Sequence, residues 1–149
     1  MSGDTKFNIS VDIKTPVDRV FEVMADTERW HEWTPSITSI KRLDDGAFKV
    51  GSRAVIRQPK LPPALWTVTE ITPGRSFTWE NKAPGIRVIA RHFADPTLTG
   101  SRVTLSLRYE GLLAWLLAAM TRGLTNRYLA MEASGLKARA ENPFFKHSR

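Results

Sequence analysis

Arg102-Val-Thr-Leu-Ser-Leu-Arg-Tyr-Glu110 alternates polar and apolar residues without a break, and Gly111-Leu-Leu-Ala-Trp-Leu-Leu-Ala-Ala-Met120 abandons that alternation at once. The first stretch has the period of a strand with one buried face; the second has the period of a helix. Glycine at the junction permits the change of direction. Beyond it, Leu113, Leu117, Met120, Leu124, Tyr128, Met131 and Ala138 recur at spacings of three and four or their multiples, which predicts one helix running to about Glu141. At about 1.5 Å per residue that helix is roughly 40 Å long, enough to cross a small domain.

Working back from this junction, the chain reads as a meander. Strands are expected over Ile37–Leu43, Phe48–Gln58, Leu65–Ile71, Ser76–Asn81, Ile86–Ala94 and Arg102–Glu110. The breaks between them are Asp44-Asp45-Gly46, Pro59 to Pro63, Pro73-Gly74, Ala83-Pro84-Gly85 and Pro96 to Gly100, all rich in turn formers. Phe7 to Ile13 alternates as a further strand. Thr15 is expected as a helix cap, with Pro16 in the first helical position, and Val20, Phe21 and Met24 as the buried stripe of a short helix. A second short helix carries Trp30 and Trp33 and ends at Pro35. The fold class is therefore α+β: an antiparallel sheet of about six to eight strands, two short helices after the first strand, and a long C-terminal helix packed on the sheet.

Composition limits what such a fold can do. The chain has 149 residues, 42% apolar and 25% charged, which suits one folded domain spanning residues 1–149. It has no cysteine, hence no thiolate nucleophile and no sulfur-ligated metal. The net charge of +7 and pI near 10.1 come from bases spread along the chain, with no three adjacent Lys or Arg. We read this as a basic surface with no specific nucleic-acid partner. The longest apolar run, Leu112 to Met120, is about half of the ~20 residues that cross a bilayer, so no stable membrane insertion is expected. The N-terminal residues show no secretory pattern, and a cytoplasmic location is the default expectation.

Charge sets the parity of each strand, since an unpaired buried charge is strongly unfavourable. Arg87 and Arg91 face water and send Ile86, Val88, Ala90 and His92 inward. Arg53 and Arg57 do the same for Ala54, Ile56 and Gln58. Arg102 and Arg108 place Val103, Leu105, Leu107 and Tyr109 inside. Phe77, Trp79 and Asn81 share one face; Trp66 and Val68 share another, with Glu70 at the same parity unless a bulge intervenes. The inward set is apolar apart from Gln58, Glu70, Asn81, His92 and Tyr109. Either these groups satisfy one another, as buried polar groups normally do, or they are the sparse polar anchors of an apolar ligand site.

The order of elements resembles the helix-grip fold of the START-like, SRPBCC superfamily, and within it the polyketide cyclase/dehydrase group. The resemblance rests on Val11 to Phe21, Trp30-His-Glu-Trp-Thr-Pro35, Gly51-Ser-Arg53, Trp66-Thr-Val-Thr-Glu70 and Arg127-Tyr-Leu-Ala-Met-Glu132, and covers about Phe7 to Glu141. It implies a sheet curled around the long helix and a ligand held between them. The ligand-binding set then comprises Trp33, Ala54, Ile56, Gln58, Trp66, Val68, Trp79, Asn81, Val88, Ala90, Leu105, Tyr109, Met120, Leu124 and Tyr128. Trp33, the Lys60–Ala64 loop and Phe93 are expected at its rim.

His92 is the leading acid/base candidate, because imidazole titrates near neutral pH, with Glu70 to orient it and Tyr109 or Gln58 to donate to an oxygen. His31 and His147 are poorer candidates, and no metal-ligand or phosphate-loop spacing is present, so neither metal nor cofactor is expected. Three functions stay open: a carrier of a small apolar, lipid-, polyketide- or aromatic-like molecule; a cofactor-independent cyclase or dehydratase; and a protein-interaction module. The last needs an exposed apolar patch, which the sequence does not clearly show. A monomer and a homodimer are both compatible with the chain.

Overall fold

The computed structural model describes residues 5–142, which leaves His147 outside the described residues. Its seven strands are β1 (Lys6–Ile13), β2 (Ser39–Arg42), β3 (Arg53–Arg57), β4 (Ala64–Thr72), β5 (Ser76–Ala83), β6 (Ile86–Thr97) and β7 (Gly100–Glu110). They form one antiparallel sheet in the order β1-β7-β6-β5-β4-β3-β2. Helix α1 (Val17–Ala25) and a 3-10 turn (Thr27–Glu32) follow β1, and α2 (Ala114–Glu141) closes the chain. This is the helix-grip α+β architecture.

Two local expectations shift. Helix α1 begins one residue later than expected: Pro16 occupies the cap position with no side-chain bond, and Val17 is the first helical residue. Thr15 Oγ1 instead donates to the Ala140 carbonyl at 3.0 Å, one of the last-turn carbonyls that α2 leaves unbonded. The predicted strand Phe48–Gln58 loses its first half. Residues 48–52 form a turn around Gly51, whose φ of +94° lies in the left-handed region.

The two ends of α2 are pinned to backbone. At its start, Leu113 N–H donates to the Gly85 carbonyl (2.9 Å) and Ala114 N–H to that of Gly111 (3.1 Å). A side chain at Gly111 would lie 2.6 Å from the Gly85 oxygen, so glycine there is required by the close approach. At its end, Glu141 accepts from Lys14 N–H (2.8 Å) and Lys137 Nζ (2.7 Å). These bonds hold the Glu141 carboxyl below the usual carboxylate range, the Lys137 hydrogen bond being the largest cause.

The helix meets the sheet through a different stripe from the one the spacing suggested. Its buried residues are Ala114, Ala118, Thr125, Leu129, Ala133, Leu136 and Ala140. Four alanines let the backbone come close to β1 and β7, its main strand neighbours, while α1 packs beside it. Leu117, Leu124, Tyr128 and Met131 are half-buried beside this stripe, whereas Leu113, Met120 and Ala138 are exposed. Met120, expected to line a site, is 73% exposed and points away from the sheet. Apolarity marked a helix correctly, but small side chains decided which face docks.

Candidate functional site

β6 runs through the middle of the sheet, and the parity argument holds along it: Val88, Ala90 and His92 are buried on the inner face. The neighbouring strands oppose them with Asn81, Trp79 and Phe77 on β5 and with Tyr109, Leu107 and Leu105 on β7. Ala54, Ile56, Val68 and Leu105 are likewise buried core residues, and Trp66 is half-buried beside them.

His92 sits in an aromatic box. Its ring stacks on Phe77 at 4.3 Å with 9° between planes, and the edges of Trp30 (5.2 Å) and Trp79 (6.0 Å) surround it. Trp30 is itself fixed by its indole N–H, which donates to the Met24 carbonyl at 2.9 Å. Trp33 lies 5.4 Å from Trp30 and presses on α2 at Gly135, where a Cβ would come 1.8 Å from the Trp33 carbonyl oxygen. Arg139 holds the same turn from the helix through Glu32 (2.6 Å), and that guanidinium draws the Glu32 carboxyl below its usual range.

The carboxylate beside His92 is not the expected one. Nε2 of His92 lies 3.3 Å from Oε2 of Glu132 on α2, and both side chains are largely buried. Glu70 is on the other side of the sheet. Register slips between Val68 and Glu70, so Ile71 pairs with Phe77 on the inner face while Glu70 pairs with the outward Thr78. One extra residue in a strand reverses the parity of everything after it. Glu70 therefore lines an outer groove of about 670 Å³ together with Glu80, Arg87, Arg91 and Arg108. Phe93 shares the outward parity of Arg91 and is not at an inner rim.

The remaining inward polar groups divide by their bonds. Tyr109 hydroxyl is hydrogen-bonded with Thr125 (3.1 Å) and Thr121 (3.2 Å) of α2. Gln58 donates to the Ser36 carbonyl (3.2 Å) and Asn81 to that of Leu65 (2.9 Å), each tying neighbouring segments together. Tyr128 donates to the Pro59 carbonyl and so holds the β3–β4 loop, in which Lys60 adopts a left-handed φ of 69°. Among the described residues four buried side-chain atoms make no hydrogen bond: Nδ1 of His92, Nε1 of Trp66, Nε of Arg42 and Oγ1 of Thr27.

Sequence reasoning missed Glu132, Thr121, Thr125 and Gly135. Glu132 had a legible signal, being the lone acid between Glu110 and Glu141 and one helical turn after Tyr128. Among the described residues no group of acidic or histidine side chains could hold a metal, and no helix is long and apolar enough to cross a membrane.

A family described as polyketide cyclase / dehydrase and lipid transport matches residues 4–141 of the chain. No curated protein matches it. Among solved structures it is similar to the Zhui aromatase/cyclase from Streptomyces sp. R1128, at 16% identity and a TM-score of 0.73 over 91% of this chain and 93% of that one. One part of the di-domain aromatase/cyclase StfQ from the steffimycin biosynthetic pathway is similar at 12% identity and TM-score 0.73, covering 92% of this chain and 50% of StfQ. A Thermus thermophilus protein, TTHA0849, is 19% identical with a TM-score of 0.72, covering 91% and 96% of the two chains. At these identities the likeness is one of fold.

Proposed function

The chain belongs to the polyketide cyclase / dehydrase and lipid transport family, and on that premise we propose that it binds a small, mostly apolar molecule between the inner face of β3–β6 and α2. One observation carries the reading. His92 is 4% exposed and walled by aromatic rings, yet its Nδ1 has no hydrogen-bond partner. Buried polar atoms are nearly always satisfied, and a ligand oxygen or N–H against Nδ1 would satisfy this one. Trp66 Nε1 offers a second, donor-only anchor. Around these two, Ala54, Ile56, Val68, Trp79, Val88, Ala90 and Leu105 supply apolar surface, with Leu124 and Tyr128 on the helix side and Trp33 and Gln58 toward the 3-10 turn and the segment after it. Few polar anchors in apolar walls describe a site for lipid-, polyketide- or aromatic-like ligands. Residues 1–149 act as one binding unit, without a cofactor.

The same pair of side chains supports a second reading. A carboxylate at Nε2 favours the tautomer protonated there, which leaves the Nδ1 lone pair free to accept a proton from a bound substrate. Glu132 then stabilises the imidazolium that forms, and proton return from Nδ1 completes a cofactor-independent cyclisation or dehydration. His92 is the catalytic residue in this reading, and Glu132 the positioning residue.

A ligand that binds only the folded chain raises its melting temperature with concentration, by the equivalent of about 2.7 kcal/mol at one hundred times Kd. The test is thermal unfolding against a panel of fatty acids and fused-ring aromatic ketones. A graded shift with at least one class is expected. No shift across the panel, together with a core that stays closed to apolar fluorescent probes, would remove the binding reading.

A further inference from the structure

The outward face of the first turns of α2 is apolar where a solvated helix is normally polar. Leu112 is 88% exposed, Met120 73% and Trp115 50%, with Leu116 exposed between them. Positions 115, 116 and 120 fall on one side of the helix, and Leu112 lies in the turn just before it, so these four side chains form one convex patch. Patches of this kind on a folded domain mark contact surfaces. The sequence hides it, because the same residues satisfy a helical period and read as core.

The surroundings of the patch decide its partner. From Gly111 to Met131 the chain carries Arg122 and Arg127 and no acid. Arg122 is held beside the patch by its guanidinium over the Phe7 ring, at 5.7 Å. Arg127 falls on the same side of the helix as Leu116 and Met120. Glu110, the nearest acid in the chain, is already paired with Arg87 and Arg108. An apolar strip containing tryptophan, with bases on its rim, suits the boundary between lipid headgroups and acyl chains. A second copy fits poorly, because two-fold pairing would bring both sets of bases together.

We propose that this face docks the protein peripherally on an anionic lipid surface, with Leu112, Trp115, Leu116 and Met120 in the headgroup layer and Arg122 and Arg127 against lipid phosphates. The test is co-sedimentation of the full chain with vesicles of 70% phosphatidylcholine and 30% phosphatidylglycerol, compared with pure phosphatidylcholine. The double variant Leu116→Gln, Met120→Gln keeps the net charge and changes only exposed positions, so its fold is checked by circular dichroism. Binding to the mixed vesicles at least tenfold stronger than to neutral ones is expected, with a loss of at least tenfold in the double variant. Lys49→Gln, which removes a charge from the β2–β3 loop, should change binding less than twofold. If the double variant binds as well as the parent, attraction is a matter of net charge and the proposal fails. It fails also if the patch instead mediates a concentration-dependent dimer, or retains a protein but no vesicle.

Discussion

Tyr109 and His92 are both aromatic, polar and buried on the inner face of adjacent strands, yet they meet α2 in opposite ways. The tyrosine hydroxyl is bonded to two threonines of the helix. The histidine meets a helix carboxylate through one nitrogen and leaves the other without a hydrogen bond. Tyr109 lies where α2 approaches β7 closely, so its bonds close a packed interface. His92 lies farther along the sheet, where rings and a lone carboxylate replace small side chains. An inward polar group whose bonds are complete fastens the interface, and in the function proposed above one whose bonds are incomplete is left for a ligand.

The largest effect that could break this contrast comes from the wall of the box. Trp30→Ala should destabilise the protein by about 3–5 kcal/mol, the usual range for removing a buried large aromatic residue. Denaturant unfolding checks it. A change under about 1 kcal/mol would show that the box around His92 is loose, and that its shape cannot position a ligand.

Smaller changes sharpen the comparison along the helix. A fully packed leucine replaced by alanine loses about 2–5 kcal/mol, and Leu124, being half-buried, should lose less than that. Tyr109→Phe should lose about 1 kcal/mol, since Thr121 still donates to the Leu117 carbonyl and Thr125 to Thr121. Ligand affinity should not change in Tyr109→Phe. A loss of binding there would place the tyrosine among the ligand contacts and erase the distinction from His92.

The smallest expected effect is one of pH and bears on the fastenings alone. Arg87 through its hydrogen bond lowers the Glu110 carboxyl, as Arg139 lowers Glu32 and Lys137 lowers Glu141. A carboxyl lowered in the folded state adds stability above its unfolded pKa and loses it as pH falls through the folded value. Melting temperature should therefore be flat near neutrality and begin to fall as pH enters the usual carboxylate range, continuing below it. Glu32→Gln should flatten part of that fall, which a series of melts would record.

How much of this was legible depended on which physical rule governed each element. The sheet was legible because arginines at alternate positions of β3, β6 and β7 leave one choice of inward face. Glu70 was misplaced because a one-residue bulge after Val68 leaves no mark in composition. Helix α2 was legible in extent but not in face. Leucine and methionine dominate its apolar positions, whereas alanine dominates its contact with β1 and β7, and Met120 was lost to solvent by that difference. His92 was found by parity alone. Its partner Glu132 stands on a helix, where the strand parity that places His92 does not reach.

The central claim is that His92, positioned by Glu132, faces a bound molecule while Tyr109 and Arg91 do not. It is tested most directly by the affinity of one ligand, identified by thermal shift, for four folded variants. His92→Ala and Glu132→Gln should each weaken binding about tenfold or more, the scale of one buried hydrogen bond to a charged or polar partner. Arg91→Ala, on the outer face, and Tyr109→Phe, within a closed bond network, should stay within twofold of the parent. If His92→Ala and Arg91→Ala have equal effects on affinity, the imidazole is sealed from the ligand and the account is wrong.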